Sequence, residues 1–384
     1  MNKKVIFVLL LFTTLLAGCW DLTEPQKMYY VQGVGIDFND DQFEIYAQII
    51  DFTNIARSEQ PNPEATQAEI GYAKGKTMEE AIFKLYHSID QRVFWGHMSY
   101  LLFSEEALKS GHVNQIVDSF LRHKDTRYLI WAYSTKESIE DVLLITPIIN
   151  KAITVSKLSN PLNIYEQESL VEPIDLRKLI IGLNEPSHEI GLPLIKIKEN
   201  WKTAKEASKN TEFSGVGFIS KNGFKGFIES DQIRGMQWMT DETVRGEMTL
   251  KVGPGDKNYL TVTLQKISVE VDSVVHNDNV TFDIDVKLEV TVNGLQTAVT
   301  TDEIRKGVLN EIEKEIKTTY EVALKQDIDV YRLSEVLYRE NVKVWKNLQK
   351  DGKIDLTEDS ISKLNITISK LSSGRKTFKE TVEK

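Results

Sequence analysis

The chain has 384 residues, 41% of them hydrophobic, with 47 Lys+Arg against 57 Asp+Glu, a formal net charge of −10 and one cysteine. That length exceeds what one hydrophobic core usually serves, so two or three domains are expected. The acidic balance argues against nucleic acid as a partner, and one cysteine excludes an intrachain disulfide or a multi-cysteine metal site.

The first element is short. Lys3 and Lys4 precede an apolar run, residues 5–18 (VIFVLLLFTTLLAG), about the length of a signal-peptide core and short of the roughly 20 residues that a spanning helix needs. Ala17 and Gly18 are small, as a narrow peptidase groove requires, and Cys19 follows directly. Leu16-Ala17-Gly18-Cys19 resembles the bacterial lipobox. The resemblance implies that residues 1–18 are a lipoprotein signal peptide, cleaved between Gly18 and Cys19, and that the Cys19 sulfur carries a diacylglyceryl group. Two acyl chains, at about 0.8 kcal/mol per buried CH2, hold a protein stably on a bilayer. Loss of residues 1–18 removes two lysines and no acidic residue, which leaves a formal net charge of −12. Anionic lipid repels such a body within a Debye length of roughly 8 Å, so it is expected to stand off on its tether.

YYVQGVGIDF (29–38) and FEIYAQIIDF (43–52) read as a strand pair turning at Asn39–Gln42. Asp37-x-Asn39-x-Asp41 has calcium-loop spacing, but Gln42 stands where the loop needs glycine and Gln48 where it needs glutamate, so a hairpin turn is favoured. Residues 58–67 (SEQPNPEATQ) form a polar loop. GYAKGKTMEEAI (71–82) has three residues between Gly71 and Gly75, one fewer than a P-loop. Thr77-x-x-Glu80 explains it as a capping box opening a helix on Met78, Ala81, Ile82, Leu85 and Ile89. Residues 92–111 read as a strand and then a helix, and residues 113–134 as a helix and then a strand. His97 and His123 sit near these apolar segments without partners at ligand spacing. Arg122-His123-Lys124-Asp125 reads as a charged turn or an internal salt bridge.

Residues 157–175 are polar and weakly patterned. Glu166, Glu168, Glu172 and Asp175 could supply a carboxylate pair for hydrolysis, but a solvated loop is favoured. Residues 198–211 are expected as an interdomain linker. EFSGVGFISKNGFKGFIES (212–230) places two strands around Asn222-Gly223, a pair that tolerates positive φ. A short helix (SDQIRGMQWM) and the strands RGEMTLKV and NYLTVTL follow. VTFDIDVKLEVTV (280–292) alternates strictly, which predicts a half-buried strand whose aspartates face water. The preceding strand changes parity at Gln265-Lys266, the mark of a bulge or of a domain crossing. Thr300-x-x-Glu303 opens a long helix, a second helix is expected near 332–349, and KLNITISKL (363–371) returns as a strand. Helices packed on mainly antiparallel sheet make the class α+β. The expected layout is an N-terminal mixed α/β domain (19–205), a small β-rich middle domain (206–266) and a C-terminal α+β domain (267–384).

GCWDLTE (18–24), GKTMEEAI (75–82), GHMSYLLFSEEALKSG with FLRHKDTRYLIWAY (96–133), FSGVGFISKNGFKGFIE (213–229) and VYRLSEVLYRENVKVWKNL (330–348) together give the chain its likeness: it resembles the Ger(x)C lipoproteins, C-type subunits of spore nutrient-germinant receptors. The resemblance implies three mixed α/β domains and assembly with integral-membrane A-type and B-type subunits. It implies location at the extracytoplasmic face of the spore inner membrane. It implies no enzymatic activity, no cofactor and no metal, and it carries over Cys19 alone, as the lipidation site. The residues agree, since Gly-x-Ser-x-Gly, His-Glu-x-x-His and Gly-x-Gly-x-x-Gly are all absent. Gly33-Val34-Gly35 and Gly215-Val216-Gly217 read as close-packing or bulge positions in strands, and Trp20 and Trp238 as candidate contact aromatics, although a core place is favoured for a tryptophan. Two other classes stay open: a lipoprotein that captures a small solute for a transporter, disfavoured by the antiparallel patterning, and a surface hydrolase using Glu166 and Glu168.

Overall fold

A computed structural model describes residues 27–50, 68–122, 125–204, 206–252, 259–276, 279–293 and 299–372. Gly18, Cys19, Trp20, His123 and the loop 58–67 lie outside the described residues.

The N-terminal strands are β1 (Met28–Asn39), β2 (Gln42–Ile50), β3 (Glu69–Gly75), β4 (Arg92–Phe94), β5 (Tyr100–Ser104), β6 (Trp131–Thr135), β7 (Ile174–Asp175), β8 (Ile190–Lys202), β9 (Ala207–Ser220) and β10 (Gly223–Glu229). They form one sheet in the order β10-β9-β8-β6-β5-β1-β2-β3, with β4 beside β1 and β7 beside β6. The helices are α1 (Met78–Tyr86), α2 (Glu105–Lys109), α3 (Val113–Arg122), α4 (Ile139–Leu143), α5 (Leu162–Tyr165) and α6 (Leu176–Asn184). α1, α2, α3 and α6 cover one face around Val34, Ile36, Phe103, Phe120 and Leu179. α4 covers the other around Tyr100, Leu102 and Tyr133. The β1–β2 turn holds Asp40 and Asp41 at φ 51° and 55°, the left-handed pair of a tight hairpin. Thr77 caps α1 by accepting from Glu80 N, while the Glu80 carboxylate accepts from Lys76 N.

The class is α+β, with mixed sheets and helices packed on them. The centre of the first sheet is nevertheless parallel: β1, β5, β6 and β8 run in the same direction, and the antiparallel hairpins flank them. Short segments such as YLLF and WAY are apolar on both faces, as strands buried by helices on both sides must be, and carry no alternation that would reveal direction.

The second sheet is β11 (Glu247–Lys251), β12 (Tyr259–His276), β13 (Asn279–Asn293) and β14 (Ile361–Ser372), in that order, with β14 parallel to β13. α7 (Thr301–Leu324) packs on it through Ile304, Val308, Ile312 and Ile316 and opens with the expected Thr300/Glu303 capping box. α8 (Leu333–Glu340) and α9 (Val342–Leu348) stand where one helix was expected. Asn341 leaves helical geometry and its side chain caps α9.

Three further expectations change. Residues 206–266 build no sheet of their own: β9 and β10 extend the first sheet, and β11 begins the second. Of the two readings of the parity change at Gln265, the bulge holds: it lies inside continuous β12. Within the expected linker 198–211, residues 198–202 belong to β8 and residues 207–211 to β9, paired as the distal part of their hairpin, where Trp201 faces Ser208. Most of its exposed side chains are polar, with Trp201 the large exception. The β9–β10 turn is Lys221-Asn222, with Gly223 at φ 114° just after it, one residue earlier than Asn-Gly suggested.

Candidate functional site

The two sheets meet along a cleft of about 350 Å³. Six segments supply its walls. α5 and the turn after it contribute Tyr165, Ser169 and Val171, and α6 contributes Lys178. The start of β8 contributes His188 and Ile190, and the end of β9 contributes Val216 and Phe218. The 3-10 helix Ser230–Trp238 and its exit contribute Met236, Gln237, Thr240 and Thr243, and the entry to α8 contributes Val330 and Arg332.

Hydrogen bonds fix these segments to one another. Ser169 Oγ donates to Tyr165 O at 2.7 Å and accepts from Arg245 N at 2.9 Å. Thr243 Oγ1 donates to the Gln237 carbonyl at 2.7 Å. Trp238, next in the 3-10 helix, donates its indole N–H to Glu315 on α7, and Arg234 Nε donates to the same carboxylate at 2.7 Å. At the rim, Lys178 pairs with Glu172, and His188 Nδ1 lies 2.9 Å from Glu335 Oε2. Burial alone would push the Glu335 carboxyl up. The hydrogen bond to His188 and the charges of His188, Arg332 and Arg339 bring it below the usual range instead. Tyr165 is raised by burial, with Glu172 adding to the shift.

Gln237 differs from its neighbours. It is 3% exposed, and its side-chain Nε2 finds no hydrogen-bond partner. An unsatisfied buried donor costs about 1–3 kcal/mol. Arg332, the residue that opens α8, holds φ at 55°, a left-handed conformation that a non-glycine residue adopts only at a cost.

The carboxylates considered for hydrolysis do not converge. Glu166 and Glu168 are exposed, Glu172 faces Lys178, and Asp175 caps α6 by accepting from Lys178 N. His97 packs edge-on against Tyr30 and Phe94. Arg122 pairs with Asp118 along its own helix. Trp238 is 1% exposed and belongs to the core, the reading favoured for it over a contact role. Trp201, on the projecting hairpin, is the exposed tryptophan that the sequence did not single out. Among the described residues no three His, Cys, Asp or Glu side chains gather as for a metal ion. No described helix is long and apolar enough to cross a membrane. Gln237, His188 and Arg332 escaped the sequence reading because no local spacing links residues so far apart in the chain.

A family profile described as spore germination protein N-terminal domain matches residues 21–197. A second, described as spore germination B3/GerAC like, C-terminal, matches residues 214–369. Spore germination protein KC of Bacillus subtilis (strain 168) is 24% identical over 376 residues, covering 91% of this chain and 90% of that protein. Spore germination protein B3 of the same organism is 22% identical over 342 residues, covering 85% and 83%. The crystal structure of the GerBC protein superposes with a TM-score of 0.54 at 16% identity, covering 88% of this chain and 96% of that one, a likeness of fold.

Proposed function

The chain belongs to the Ger(x)C family of spore germination proteins, and from that premise we propose that it is the lipid-anchored subunit of a spore nutrient-germinant receptor. Cys19 carries the diacylglyceryl anchor after cleavage at Gly18, and the remainder stands on the extracytoplasmic face of the spore inner membrane. Its partners are the integral-membrane A-type and B-type subunits, and its part in germination is assembly and coupling, without catalysis. The observation that carries this reading is the match of spore germination profiles to both halves of one chain. The lone cysteine directly behind a short apolar run supports the anchor.

Solute capture for a transporter is the second reading. The four parallel central strands remove the objection from antiparallel patterning, and the cleft at the junction of the sheets favours it. The family match ranks it second.

The test replaces Cys19 with Ala in the native host, then follows membrane fractionation and germination on a panel of single nutrients. Loss of anchoring together with loss of one nutrient response supports a tethered receptor subunit. Intact anchoring removes the lipid reading. Lost anchoring with normal responses to every nutrient leaves a lipoprotein of another function.

A further inference from the structure

We propose that the cleft between the sheets is a binding site for a small organic carboxylate with an apolar body. The walls supply the apolar half: Val171, Ile174, Ile190, Val216, Phe218 and Met236 line it. Its volume of about 350 Å³ lies within the range of small-molecule pockets, which are apolar with a few placed polar groups.

Gln237 supplies the first polar group. Its Nε2 is buried and unpartnered, and among the buried side-chain nitrogens and oxygens of the described residues only Thr126 Oγ1 shares that state. Buried donors are normally bonded, so an orphan at the wall of a cleft marks the place of a missing acceptor. A carboxylate oxygen answers that donor.

Arg332 supplies the charge. Lys178 is taken by Glu172, and His188 and Arg339 by Glu335. Arg332 lines the same cleft; its charge bears on Glu335 through space, but no salt bridge joins it to a carboxylate among the described residues. Its left-handed backbone turns the chain into α8 at the cleft edge. Strain of this kind persists where the surroundings hold it and gathers at ligand sites. The site is independent of the lipid anchor: failure of ligand binding leaves the Cys19 result untouched, and failure of anchoring leaves the cleft intact.

The test titrates phenylacetate, its uncharged analogue phenylacetamide, and the alcohol 2-phenylethanol into the full-length protein in detergent, by calorimetry. Two variants accompany the wild type. Q237L keeps the volume and removes the donor. R332N removes the charge and keeps a residue that tolerates the left-handed backbone. Expected is saturable phenylacetate binding with a Kd of about 1 mM or tighter, weakened at least about tenfold in each variant. Binding of phenylacetamide is expected to be weaker, and that of the alcohol to be absent. The ligand-free melting temperature of Q237L is expected to equal or exceed the wild type's, because the orphan donor is gone. The site is overturned if the wild type shows no saturable phenylacetate binding, if either variant binds it as well as the wild type, or if Q237L melts lower, which would reveal a partner for the amide within the protein. Equal binding of phenylacetate and phenylacetamide overturns the carboxylate class.

Discussion

Asp329 is the group whose titration should be visible in the stability of the whole chain. It is 1% exposed, and its two carboxyl oxygens accept backbone N–H bonds from Leu333 at 2.9 Å and Ser334 at 2.7 Å, which closes the first turn of α8. Burial raises its carboxyl strongly, the two backbone bonds pull it back, the Glu189 carboxylate pushes it up again and Lys353 draws it down, leaving it at about 7. The unfolded chain ionises the same group near 3.8. Folding therefore takes up a proton between these values, and the stability contributed by the protonated form is fully present below the unfolded value and is lost as pH rises towards 7. With 1.36 kcal/mol per pK unit, the loss between about pH 5 and about pH 8 comes to roughly 2–3 kcal/mol. Other carboxyls, among them Glu229 and Glu335, are held low and shift the balance the opposite way, so the clean quantity is a difference between variants. Asp329→Asn cannot titrate. Its amide keeps one acceptor for Leu333 N and loses the second, at a cost of about 1 kcal/mol that does not depend on pH. Urea denaturation followed by tryptophan fluorescence at about pH 5 and about pH 8 should show the variant gaining on the wild type by roughly 2–3 kcal/mol across the interval. A difference between the two proteins that is the same at both pH values would refute the buried, proton-binding role.

Gly235→Ala should be severe, because an added Cβ would lie 2.5 Å from the Glu315 carbonyl and 2.6 Å from both Thr319 Oγ1 and Tyr331 OH; a loss of at least about 2 kcal/mol in thermal unfolding is expected. Glu315→Gln removes the nearer charged partner of the half-buried Arg234, leaving only Glu247 at 4.0 Å, and weakens the acceptor for the Trp238 indole; a loss of about 2 kcal/mol in the same melt checks it. Thr300→Ala removes the acceptor for Glu303 N and should cost about 1 kcal/mol, read as faster amide exchange confined to the first turn of α7.

Much of the fold was legible wherever one face of an element meets water. β13 alternates along its whole length because one side covers the core and the other is wet, and α7 repeats its apolar residues every four positions for the same reason. The two caps at Thr77 and Thr300 were legible because the spacing itself makes the bonds. The parallel centre was not, since β5 and β6 are covered on both faces and neighbour order depends on distant crossings. The distal β8–β9 hairpin read as a linker because most of its exposed residues, Lys198, Glu199, Asn200, Lys202 and Lys209 among them, are polar, with Trp201 the large exception. The break at Asn341 hid inside a helical periodicity that runs through it. The cleft was beyond reach altogether: Gln237 signals nothing in sequence, and its significance appears only once the neighbours that fail to satisfy it are in place.

The central position of β1 has a mechanical consequence. β1 begins at Met28 and is held by β2 along one edge and by β4 and β5 along the other. Tension arriving from an anchor upstream of residue 27 runs along the axis of an interior strand. The ladder bonds on both sides then resist together, in shear, instead of opening one after another as they would if an edge strand were peeled. A pull of this kind is carried into the middle of the ten-stranded sheet. Under the proposed anchor at Cys19, such an attachment would carry load into the sheet without first yielding at its own point of entry.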